Sequence, residues 1–133
     1  MGIFHRFNVK HEKKVMDLYT ERELDEYEAY IQEKFGKCEK VLHEIVSTDI
    51  HLDILIVPPT DDSPFYKLIT MGIGAYRMSV PKEVSGYELE HTELIVYLPE
   101  DWNLSSDDEK DYWPIRLLKI IGRIPINLSR YAA

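Results

Sequence analysis

The run Leu52–Val57, LDILIV, closed by Pro58 and Pro59, constrains this chain more than any other stretch. A near-continuous apolar run of strand length, rich in branched side chains, belongs to a strand covered on both faces. The fold must therefore supply a layer on each side of a sheet. The two prolines end the strand because neither can donate to a ladder. PPTDDSP reads as a loop, after which Phe65–Met71 resumes as a strand, and the short connection pairs the two as a hairpin. Val41–Thr48 and His91–Leu98 read as further strands. Gly72 and Gly74 mark a bend or a close backbone approach.

Helical periodicity supplies the covering layers. Leu24, Tyr27, Ile31 and Phe35 share one face of a helix over Glu21–Phe35, with Thr20 and Glu23 as a capping box and Gly36 as its stop. Ser106 and Glu109 suggest a second capping box, and Pro114 a first helical position. The helix that follows would turn Ile115, Leu118 and Ile121 inward, with Leu117 and Ile120 widening the stripe, and would end at Pro125. Together these elements predict an α+β domain with a mixed, mainly antiparallel sheet covered by helices. The length suits one domain, 1–133.

Charge and cysteine usage narrow the function. Lys and Arg number 16 against 24 Asp and Glu, a net charge of −8. Such a chain repels nucleic-acid phosphates and favours a basic protein partner if its charge has a partner at all. The single cysteine, Cys38, excludes an internal disulfide and a multi-thiolate zinc site, and suits a cytoplasmic protein. No apolar run reaches the roughly 18 residues of a membrane span.

Catalytic signals are sparse. His51 with Asp53, and His91 with Glu93, are each two apart on an expected strand, so each pair shares a face. Were the strands adjacent, the four groups could ligate a metal ion or do acid–base work. Gly72-Ile73-Gly74 lacks the third glycine of a phosphate loop, since position 77 is Arg77, and reads as a tight bend. Arg116, Lys119 and Arg123 form a basic stripe best satisfied by acids of the same domain.

Three strings carry a resemblance. HLDILIVPPTDDSPFYKLITMGIGAYRMSVP (His51–Pro81), ELIVYLPEDW (Glu93–Trp102) and YWPIRLLKIIGRIP (Tyr112–Pro125) resemble the suppressor of fused domain family, in its order and spacing. The resemblance implies an α+β fold and a non-enzymatic, protein-binding role without a cofactor, of the bacterial single-domain kind. Many of those relatives are presumed immunity or antitoxin proteins. Domains of this type usually run further past the last helix, so the chain is a short member or a truncated one. The expected partner is a protein, either a basic toxin or a short extended peptide, with no nucleic acid and no membrane. Asp61, Asp62, Glu100 and Asp101 would form an acidic rim. Tyr76, Trp102, Trp113 and Arg116 would add aromatic and basic anchors. The edge of Phe65–Met71 would offer a second route, strand addition. The alternative is a metal-dependent enzyme using His51, Asp53, His91 and Glu93.

Overall fold

The computed structural model describes residues 17–47 and 49–131. Four strands form one sheet in the order β1 (Lys40–Leu42), β2 (Asp53–Val57), β3 (Phe65–Met71), β4 (Ile95–Pro99). All three pairings are antiparallel, and an isolated parallel bridge joins Asp17 to Ile50. Helix α1 (Glu21–Lys34) precedes the sheet; α2 (Glu109–Gly122) and α3 (Ile124–Tyr131) follow it. The expected α+β architecture is present.

Every residue of β2 is buried, and the alternation of its side chains explains the two cores. Leu55 and Val57 point to the α1 side, where they pack with Ile31, Cys38, Ile69 and Met71. Ile54 and Ile56 point the other way and join Leu68, Leu98, Ile115, Leu118 and Ile126. The sheet is thus a middle layer between α1 and the α2–α3 pair. Burying a side chain such as Ile54 or Leu55 contributes about 1.5–3 kcal/mol.

The capping box of α1 forms as expected: Thr20 accepts from the Glu23 amide at 3.1 Å and Glu23 from the Thr20 amide at 3.0 Å. Other boundaries move. β1 stops at Leu42, because the segment that follows spends its polar groups on a side-chain network rather than a ladder. β4 starts at Ile95, because Glu93 turns into the end of β3. Asp108, not Ser106, caps α2 by accepting from the Lys110 amide, while Ser106 accepts from the Asp108 amide. Pro114 lies inside α2, and Pro125 sits in the first turn of α3, where its missing N–H costs nothing.

The inward stripe of α2 is narrower than the sequence suggests. Pro114, Ile115, Leu118 and Gly122 are buried, whereas Leu117, Ile120 and Ile121 join Trp113 on an exposed apolar side. Gly122 explains this: a Cβ there would meet Ile73 Cδ1 at 2.6 Å. At Gly122 the helix backbone itself approaches the core, beside the buried Ile115 and Leu118 side chains.

Candidate functional site

The strand ends nearest α1 are organised by one carboxylate. Glu93 is largely buried and accepts five hydrogen bonds. The Gly72 and Gly74 amides and the Tyr19 hydroxyl reach Oε2 at 2.9, 2.9 and 2.5 Å. The Ile73 amide and the Thr70 hydroxyl reach Oε1 at 3.2 and 2.8 Å. The three successive amides exist as a nest because Gly72 takes φ +135°. Both glycines are also sterically required: a Cβ would lie 1.8 Å from His51 O at Gly72 and 2.1 Å from Tyr19 Oη at Gly74. The tight-bend reading of Gly72-Ile73-Gly74 holds. Burial pushes the Glu93 carboxyl above its ordinary value, and its hydrogen-bond donors pull it back only in part. Burial likewise raises the Tyr19 and Tyr27 hydroxyls, with the Glu93 charge adding to it.

Beside this carboxylate a cavity of about 380 Å³ opens between α1 and β4. Tyr27, Tyr30, Ile31 and Phe35 of α1 form one wall, Ile69 and Ile95 the floor, and Glu93 with His91 one end. Tyr27 is pinned by donating to Thr70 O at 2.8 Å. His91 is held by Nδ1 against Gly74 O at 2.6 Å. Lys67 ties α1 to the sheet, donating to Phe35 O at 2.9 Å and lying 5.9 Å from the centre of the Tyr97 ring.

The cavity runs onto an open sheet edge. β4 pairs only with β3 among the described residues. The Thr70 amide bonds Leu94 O at 2.9 Å, so by antiparallel alternation Val96 and Leu98 turn their backbone polar groups inward, and Ile95 and Tyr97 turn theirs out. On the α1 face of the same edge, Phe65, Ile95 and Tyr97 are 44%, 39% and 49% exposed. Phe65 and Tyr97 meet edge to face at 6.3 Å. Phe65–Met71 itself is a central strand, so the edge open to strand addition is β4.

His51 and Asp53 do meet, with Nε2 to Oδ1 at 2.8 Å, but the group that joins them is His43, with Nδ1 3.1 Å from Asp53 Oδ2. His91 and Glu93 belong to the cavity instead. The four-residue constellation expected from the sequence does not assemble. Around the histidines, Ser47 links His51 Nδ1 at 2.8 Å to Glu44 Oε1 at 2.7 Å. Arg123 then grips Glu44 through both carboxylate oxygens at 2.8 and 2.7 Å and Asp49 at 3.2 Å. Burial raises the Asp53 carboxyl, but the His51 contact, the Glu44 amide and the two imidazoles outweigh it and hold it below the ordinary range.

The model of the family described as suppressor of fused protein matches residues 48–131, well over half of the chain. The chain belongs to the suppressor of fused family. No curated protein and no solved structure matches it. The suppressor of fused match spans β2, β3, β4, α2 and α3; α1, β1 and His43 precede it. It places the chain among protein-interacting domains. No helix among the described residues is long and apolar enough to cross a membrane.

Within this suppressor of fused fold the expected contact residues fall into separate groups. Asp61, Asp62, Glu100 and Asp101 are exposed, and the Phe65↔Pro99 register brings their two loops to one end of the sheet. Trp102 donates to Asp111 O at 2.8 Å and meets Trp113 edge to face at 6.1 Å, which braces the start of α2. Tyr76 packs against the core. Arg116 pairs with Glu109 and covers the Tyr112 ring at 5.3 Å. Arg123 pairs with acids of the same domain, as the charge pattern suggested, whereas Lys119 donates to the Tyr112 hydroxyl. Cys38 is buried against Lys40 O, and burial raises its thiol away from reactivity. The exposed edge pair Ile95 and Tyr97 falls outside the expected acidic rim and its anchors. Their signal was present in ELIVYLP, where apolar residues occupy both faces of a strand.

Proposed function

We propose that this suppressor of fused domain is a non-enzymatic binding protein that sequesters a partner by taking an extended, basic segment of it as an added strand along β4. The observation that carries the reading is the outward-facing backbone of Ile95 and Tyr97 beside an aromatic cavity. Main-chain hydrogen bonds to that edge supply affinity, and alternate side chains of the incoming strand enter the groove between α1 and β4 and supply specificity. Tyrosine walls suit this, because they offer large apolar area at low entropic cost with a polar tip. Asp61, Asp62, Glu100 and Asp101 lie at the end of the sheet where β4 finishes, so a segment carrying Lys or Arg there gains electrostatic steering that salt weakens. Sequestration of this type is what an immunity, antitoxin or regulatory protein performs.

Tyr97→Pro tests the reading. Proline is tolerated on an edge strand where its missing N–H faces solvent, so the variant should keep its far-UV circular dichroism spectrum. Binding of a peptide selected on the full chain from a random display library should weaken by roughly tenfold or more, the worth of one or two main-chain hydrogen bonds. Tyr97→Ala, which keeps the amide, separates loss of the ring from loss of the hydrogen bond. Equal affinity of Tyr97→Pro and Tyr97→Ala would rule out strand addition.

A further inference from the structure

We infer that His43, His51 and Asp53 form a site for one divalent transition-metal ion of the zinc class, which locks the connection between β1 and β2 onto the sheet. The three residues each direct a ligand atom inward, all within 4.8 Å of one another. Two donors on a tetrahedral zinc stand about 3.4 Å apart, given bond lengths of about 2.0–2.2 Å. The His51–Asp53 and His43–Asp53 separations of 2.8 and 3.1 Å therefore need only small adjustments to admit an ion. Two imidazoles and a carboxylate, with a further position left to water, are a donor set that zinc and its neighbours accept.

The surrounding contacts point the same way. Ser47 bridges His51 Nδ1 at 2.8 Å and Glu44 Oε1 at 2.7 Å. His51 Nε2 and Asp53 Oδ1 face each other at 2.8 Å. His43, set against the second oxygen of the same carboxylate, is the third donor that a metal ion uses. The Ser47–Glu44 relay matches the outer hydrogen bonds that fix a ligating histidine's tautomer and ring plane, and the Glu44 amide fixes Asp53 at 3.0 Å. Charge agrees too. Glu44 and Asp49 pair with Arg123 and Asp53 with the two histidines, so among these contacts three carboxylates meet one guanidinium.

The test uses the full chain, freed of metal by dialysis against a chelator and titrated with Zn²⁺, then with Co²⁺ as a spectroscopic probe. One equivalent of Zn²⁺ should bind and raise the melting temperature, and Co²⁺ should give visible ligand-field absorption. His43→Ala and His51→Ala, checked by circular dichroism for folding, should weaken binding by about 100-fold or more. Ser47→Ala should weaken it by about 10–100-fold. His91→Ala, which alters the cavity alone, should bind as tightly as the parent. Absence of saturable binding by the parent chain overturns the site. So does Zn²⁺ binding in a folded His43→Ala variant that equals the parent's, since the ion then sits elsewhere.

Discussion

Gly72→Ala is expected to abolish or nearly abolish folding, costing about 4 kcal/mol or more. Two independent effects combine. The backbone at φ +135° is one that L side chains rarely adopt. The new Cβ would also stand 1.8 Å from the His51 carbonyl oxygen, a backbone atom in the segment leading into β2, which cannot swing aside as a side chain can. Any relief moves the Gly72 amide off Glu93 and disturbs the nest. Gly86→Ala is the matched control. Its Cβ meets nothing within 4 Å, so its stability should stay within about 0.5 kcal/mol of the parent. Urea denaturation of the two variants measures the contrast, and similar midpoints would refute the packing account of the bend.

Glu93→Ala carries the second large effect, about 3–5 kcal/mol. The substitution strands the amides of Gly72, Ile73 and Gly74 and two hydroxyl donors, and each buried group left without a partner costs about 1–3 kcal/mol. The hydroxyls can rotate to other acceptors and water can enter from the cavity, which holds the total below the simple sum. The same residue sets a pH dependence. Its carboxyl is raised in the folded chain above the ordinary glutamate value of 4.5. The folded state therefore binds this proton more tightly than the unfolded state does, and stability falls as pH rises from 4.5 through the raised value. Glu93→Gln, which cannot ionise, should flatten that part of the stability–pH curve. A curve unchanged by Glu93→Gln would show that another group produces the slope.

The legible parts of this fold were those set by one local rule. Leu52–Val57 announced a doubly covered strand, since six residues with one acid leave no face for water. The Thr20–Glu23 box and the Leu24-Tyr27-Ile31-Phe35 face gave α1 almost to the residue. The illegible parts depended on partners distant in sequence. β4 begins only at Ile95 because the Glu93 carboxylate is drawn to amides about twenty residues back. His43 joined His51 only because the β1–β2 pairing, with Leu42 opposite Ile54, folds it back over Asp53. The apparent symmetry of His51-x-Asp53 and His91-x-Glu93 misled because the two pairs serve different neighbours. In the same way, Leu117, Ile120 and Ile121 looked like core. The close approach of Gly122 to Ile73 is a tertiary fact with no helical periodicity of its own.

Hydrogen–deuterium exchange at individual amides, on the full chain alone and with a peptide selected on it from a random display library, tests the binding edge most directly. The Ile95 and Tyr97 amides should exchange rapidly in the free protein, those of Val96 and Leu98 slowly, and peptide addition should protect the first pair. Protection that leaves Ile95 and Tyr97 fast while slowing amides around the exposed side of α2 would contradict the account and move the binding surface to the opposite face of the molecule.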